Sequence, residues 1–192
     1  MEQRNVRRYT RALSTVIGSR RAWTRGPWVM TNASDANRRL ARRWYPDNGK
    51  ECDAIADEFG IPHSVACGVV AAWSPRMPWR RNLLVARQFL EGKTNLGLGA
   101  SERAANAVII SGIEALNGQK TSSFAWNLAG DYDAVTIDVW MMRACGEDDQ
   151  DAPRTVQYRE MSAAVRRLAR RHGMTPAEMQ ALIWIIYRGS AE

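Results

Sequence analysis

The sequence predicts an all-α fold. Apolar residues recur at helical spacing along most of the chain, and proline, glycine or a capping residue stands at most of the junctions between these runs. No two alternating segments make a defensible strand pair. The 192 residues, 45% of them apolar, suffice to bury a core of single-domain size, and one helical domain is expected over 1–192.

The elements follow in order. Over 3–20, Val6, Tyr9, Leu13, Val16 and Ile17 fall at helical spacing on a basic background. Ser34 or Asp35 caps a helix reaching Tyr45, which Pro46 closes, so that basic helices occupy 3–45. A third helix, Glu51 to Phe59, stops at Gly60. The run His63 to Trp73 is almost wholly apolar and is therefore the buried central helix. Pro75 and Pro78 interrupt the chain before a helix from Trp79 to Leu90. Ser101 caps a helix through Val108, Ile109 and Ile113 to Leu116, and a tight turn at Asn117-Gly118 leads into a short helix from Thr121 to Leu128.

After a loop at Gly130-Asp131, Ala134 to Cys145 reads as strand or helix, because Val135, Ile137 and Val139 alternate. Glu147-Asp148-Asp149-Gln150-Asp151 is an exposed acidic loop or linker. Pro153 opens a long amphipathic helix to Arg171, the first of the C-terminal helices over 153–188. Thr175-Pro176-Ala177-Glu178 is a capping box with proline in the first turn, starting a helix that runs to Tyr187 and ends at Gly189. The total is about ten helices.

Composition narrows the function. Net charge is +7, carried by 24 arginines against 3 lysines. The planar guanidinium suits bidentate phosphate and base-edge contacts, although GC-rich coding produces the same bias without function. No window holds 18 uninterrupted apolar residues, so no membrane span or membrane partner is expected. The N-terminus lacks the apolar stretch of a secretory signal, and a soluble cytoplasmic protein is expected. Cys52, Cys67 and Cys145 stand far apart and odd in number, which argues against a disulfide framework and a structural zinc site and leaves too few thiols for a four-cysteine iron–sulfur cluster. His63 and His172 have no partner at ligand spacing, so neither a metal nor a cofactor is expected.

Several segments carry candidate chemistry. In Leu116-Asn117-Gly118-Gln119-Lys120-Thr121, a glycine turn between helices presents backbone N–H groups beside the positive end of the next helix dipole. That arrangement suits a phosphate oxygen, with Lys120 beside it; an ordinary helix–helix turn has the same sequence. Asp138 sits among apolar residues, where a carboxylate needs a partner or a task; capping a helix that starts at Val139 is compatible with both. Cys52 to Val69 has the outline of a helix-turn-helix, but its second helix reads as core. Arg38, Arg39, Arg42 and Arg43, and likewise Arg166, Arg167, Arg170 and Arg171, form basic helical stripes, solvated or phosphate-facing.

The run Leu116 to Cys145 resembles the helix-hairpin-helix DNA glycosylase superfamily, typified by endonuclease III. Gly118, Lys120, Thr121, Asp138 and Arg143 match in order and at closely similar separations, and Val69 to Pro75 with Asn82 to Leu90 are similar to the helices that begin that fold. The likeness covers about residues 50–146. It implies a helix-hairpin-helix glycosylase-like domain that binds double-stranded DNA and handles an extruded base. In that frame Asp138 is the catalytic carboxylate and Lys120 a candidate amine nucleophile. Asn117, Gly118, Gln119, Thr121, Ser74, Arg76, Arg80 and Arg143 contact DNA, and Trp73, Trp79 and Asn82 line the base pocket.

The departures are a shortened hairpin, Val139-Trp140 after the aspartate and the missing cluster cysteines. With the Ser74 to Asn82 loop, they look more like a divergent branch found mainly in phages, the α-glutamyl/putrescinyl thymine pyrophosphorylase group. That likeness implies modified thymine in DNA and an amine co-substrate, with Arg76, Arg80 or Lys120 holding the leaving pyrophosphate. The alternative is a phage DNA-binding or inhibitory protein that keeps the fold without turnover.

Overall fold

A computed structural model describes residues 2–17, 33–97, 99–147 and 153–189. Among the described residues the protein is all-helical: α1 (Glu2–Ile17), α2 (Asp35–Phe59), α3 (His63–Trp73), α4 (Trp79–Leu90), α5 (Gly99–Ser111), a 3-10 turn (Ile113–Ala115), α6 (Gln119–Leu128), α7 (Val139–Ala144), α8 (Thr155–His172) and α9 (Pro176–Arg188). No helix among them is long and apolar enough to cross a membrane. The chain divides into two compact units, Met1–Tyr45 with Tyr132–Ala191 and Pro46–Asp131.

In the first unit, α1 packs on α8 and α9, α8 on α9, and α9 on α7. Tyr9, Leu13, Ile17, Met161, Leu168 and Leu182 are sealed in its core. Glu160, also buried, is satisfied by Asn5, whose Nδ2 donates to both carboxylate oxygens at 3.0 and 3.1 Å and so ties α1 to α8. The capping box read from the sequence is present: Thr175 Oγ1 accepts from the Glu178 N–H at 3.1 Å, and Glu178 Oε2 accepts from the Thr175 N–H at 3.0 Å. Ser34 caps α2 by accepting from the Asn37 N–H at 3.2 Å.

The second unit is built around α3. Every residue from Ala66 to Trp73 is buried, and α4, α5 and α6 pack against it. Gly68 lets α5 approach closely, since a methyl group there would lie 2.7 Å from Val108 Cγ1. Burial of α3 from Ala66 to Trp73 weighs against the helix-turn-helix alternative, because a recognition helix has to present side chains to a groove and only the half-buried His63, Ser64 and Val65 remain to do so.

Four boundaries differ from expectation. Pro46 does not close a helix; α2 runs through it, and the division between the two units falls at the same place. An interior proline costs about 3 kcal/mol through its missing N–H and its ring. Burial offsets that cost on both sides, Ala41 and Tyr45 before it, Cys52 and Ile55 after it. Ser101 is not a cap but a buried residue inside α5, which starts at Gly99 and ends at Ser111, where Gly112 adopts φ 84°. The connection is accordingly not a tight turn at Asn117-Gly118: it runs over 112–118 through the 3-10 turn Ile113–Ala115, and α6 begins at Gln119 rather than Thr121. The alternating stretch 134–138 is neither strand nor helix, and only α7 is helical. Of the acidic loop, Glu147 pairs with Arg8 and accepts from Gln157 Nε2 at 2.9 Å, whereas Asp148 to Asp151 lie outside the described residues.

Gly68→Ala is expected to destabilise the protein by about 1–3 kcal/mol through overpacking. Val108→Ala in the same chain should recover part of that loss, so the double variant will be more stable than the sum of the single costs implies. Denaturant titration of the three variants checks it; strict additivity would mean the two residues do not touch.

Candidate functional site

Within the second unit, the hairpin and the proline loop meet. Asn117 and Gly118 are exposed, and Gly118 is the N-cap of α6 with φ −82° and ψ 119°. Any residue adopts that backbone conformation, and a methyl group at 118 would make an ordinary 3.6 Å contact with Thr121 Oγ1. Neither strain nor internal packing requires glycine there, so its small size leaves the outer side of the α6 N-terminus open to approach. Gln119, Lys120 and Thr121, all half-buried, form the first turn, where the dipole is positive.

Lys120 Nζ donates to Ser74 Oγ at 3.2 Å and lies 5.8 Å from the centre of the Phe124 ring. Ser74 opens the turn after α3. The Met77 N–H donates to the Ser74 carbonyl at 3.3 Å, with Pro75 at the first corner and Arg76 at the second. Arg76 has φ 59°, the left-handed conformation that a glycine normally supplies at this corner. Its side chain is exposed, like that of Arg80.

The proposed base-pocket residues separate. Trp79 is half-buried and stands edge-on to Phe124, with centroids 6.2 Å apart. Trp73 is only 1% exposed and packs against Phe89, so it is a core residue and not a surface platform for a base. Asn82 is equally buried. Trp73 Nε1 and Asn82 Oδ1 both lack a hydrogen-bond partner among the described residues, one donor and one acceptor left unsatisfied in the same unit.

Asp138 belongs to the first unit. It is half-buried and caps α7, its Oδ1 accepting from the Met141 N–H at 2.9 Å. Its Oδ2 accepts from Trp184 Nε1 on α9, also at 2.9 Å. Trp184 is itself steadied by the edge of Trp44, 5.7 Å away, and by the Arg188 guanidinium 4.8 Å from its ring. The segment leading to Asp138 hangs on one phenol. Tyr158 donates from its hydroxyl to the Val135 carbonyl at 2.8 Å and accepts from the Ile137 N–H at 3.1 Å. This is the backbone pairing a neighbouring strand would give, but the side chains do not alternate, since Thr136 is buried with Val135 and Ile137 and Val139 is exposed. Arg143 is exposed, its guanidinium 4.7 Å over the Trp140 ring.

Lys120 and Asp138 are thus each anchored in a different unit. Sequence reasoning missed Trp184 and Tyr158, which carry no local motif: Trp184 was one of eight tryptophans, and Tyr158 one aromatic on an amphipathic helix.

Other titratable groups have structural partners. His63 Nδ1 lies 2.7 Å from Asp53 Oδ1, and its Nε2 lies 3.3 Å from Cys67 Sγ. A hydrogen bond with the Cys52 thiol, reinforced by burial, pushes the Cys67 thiol far above its ordinary range. Burial lowers the His172 pKa, and the Arg38 and Arg171 charges lower it further. No group of three or more His, Cys, Asp or Glu among the described residues is arranged to hold a metal ion.

Replacing Arg76 by glycine should relieve a left-handed conformation that costs about 1–2 kcal/mol for an L-residue. The thermal midpoint of Arg76→Gly is therefore expected to rise; a fall would show that the side chain, not the backbone, decides this corner. Among known proteins, no curated protein and no solved structure matches the chain. The model of a family of unknown function, DUF7178, matches residues 13–191. That match runs through both units, and the protein belongs to the DUF7178 family.

Proposed function

We propose that the protein binds double-stranded DNA through the hairpin and proline loop of its second unit and acts on an extruded base, with Asp138 as the reacting carboxylate. The finer fold in this reading is helix-hairpin-helix, with α5, residues 112–118 and α6 as the hairpin motif. The observation that carries it is the Lys120 Nζ to Ser74 Oγ bond, which joins two segments 46 residues apart. Both segments are those whose resemblance implies contact with DNA. At their junction stand an open helix N-terminus, a lysine and the exposed arginines 76 and 80, a combination suited to phosphate oxygens.

The setting of Asp138 supports a chemical task. Hydrogen bonds to both of its oxygens fix the carboxylate plane while leaving it half-buried rather than sealed. A fixed carboxylate stabilises positive charge developing on a sugar, or takes a proton from an incoming amine or water. In base excision with a lysine nucleophile, the Lys120 amine forms a bond to the anomeric carbon as the bond to the base breaks, and the base leaves with a proton. In base modification the glycosidic bond survives, and Lys120 serves only as a cation for phosphate or pyrophosphate. The contact with Ser74 favours this second role, since it already holds the ammonium at the hairpin.

Two outcomes test the reading. Lys120→Ala is expected to weaken duplex binding alike across sequences and to reduce the slope of log Kd against log salt by about 1. Borohydride trapping on damaged or hydroxymethyluracil-containing duplexes separates the chemistries: a covalent adduct assigns Lys120 as nucleophile, and base substitution without an adduct assigns it as a phosphate contact. Absence of any adduct, base release or substitution would leave an inert DNA-binding protein. A duplex affinity indifferent to salt and to Lys120 would contradict DNA binding at the hairpin.

A further inference from the structure

The first unit presents a second basic surface. Arg4, Arg7, Arg8 and Arg11 fall at i, i+3, i+4 and i+7 on α1, and all four are exposed. The opposite side of the helix, with Tyr9, Leu13 and Ile17, is buried in the unit's core. The arginines therefore form one stripe along the outer face, spanning about 10 Å at 1.5 Å per residue. Arg8 is held in place, its guanidinium 4.7 Å over the Tyr9 ring and paired with Glu147. Arg4, Arg7 and Arg11 have no ion-pair partner among the described residues.

We propose that this face of α1 is a second contact for the phosphate backbone of a nucleic-acid duplex, separate from the hairpin. Duplex phosphates on one strand advance about 3.4 Å along the axis per nucleotide, so a 10 Å row of guanidinia covers about three of them. Arginine's planar fork matches a phosphate's paired oxygens, and the stripe contains no lysine. A bilayer surface fits less well. Membrane-binding amphipathic helices insert an apolar face, and the apolar face of α1 is already covered by its own unit. The identity of the partner as DNA rests on the function proposed above, whereas the stripe as a polyanion-binding face does not.

The full-length Arg4→Gln, Arg7→Gln, Arg11→Gln triple variant tests this by fluorescence anisotropy on a labelled mixed-sequence duplex across a salt series. The changes are at exposed positions, and circular dichroism will confirm that the fold is kept. The expected result is weaker binding and a log Kd against log salt slope lower by about 2 to 3, at about 0.9 for each phosphate no longer neutralised. An unchanged slope overturns the proposal, as does unchanged duplex binding with abolished binding to phosphatidylserine-containing vesicles. If Lys120→Ala weakens binding and the triple variant does not, the stripe fails and the hairpin reading stands; the reverse pattern keeps the stripe and removes the hairpin. A wild-type protein that binds no duplex at low salt overturns both.

Discussion

The carboxylate of Asp138 has its two oxygens committed to two different elements of the first unit. One accepts from the backbone at the start of α7 and the other from the indole of Trp184 on α9. A helix as short as α7 has little stability of its own, so the cap and the packing around it decide whether it forms. The same two bonds prevent the carboxylate from rotating. A residue that began as a capping problem therefore ends as an oriented acid group, and the local structure and the proposed chemistry depend on one pair of hydrogen bonds.

In the second unit, the corresponding constraint is steric. The stretch of α3 from Ala66 to Trp73 is buried on all sides and can be surrounded only if some neighbours come close, and Gly68 opposite Val108 provides that approach. With α3 fixed, the chain leaving it must turn sharply, and it does so through Pro75 and a left-handed Arg76. Ser74, the C-cap of α3 at the start of that turn, is the residue that accepts from Lys120. Strain at an exposed arginine and a glycine that the fold itself does not need at 118 lie in the segments that this bond joins, and neither is explained by stability. In the proposed function, the phosphate backbone of DNA would meet both.

What could be read from the chain divides along the range of the interactions. The capping box at Thr175 and the apolar run of α3 were legible because every residue involved lies within one or two turns of helix. Pro46 misled, since a local rule for ending helices was outweighed by burial on either side of it. The alternation at Val135, Ile137 and Val139 misled, since Thr136 is buried beside them and Val139 is exposed at the start of α7, while the backbone of 135–137 pairs with a tyrosine hydroxyl on α8. Asp138 was visible as a carboxylate out of place, yet Trp184, 46 residues away, was not. Trp73 and Trp79 looked alike beside the proline loop, and only the packing of α3 and α4 distinguishes the sealed one from the half-buried one.

The central claim is that Asp138 performs chemistry on a base, and nucleoside mass spectrometry tests it most directly. DNA carrying 5-hydroxymethyluracil or damaged bases would be incubated with the wild-type protein, Asp138→Asn and Trp184→Phe, with candidate amines present and absent, then digested to nucleosides. The account predicts a missing or mass-shifted nucleoside with the wild type, none with Asp138→Asn and a slower change with Trp184→Phe, at unaltered duplex affinity. An identical nucleoside profile with and without the wild-type protein on every modified duplex would contradict it.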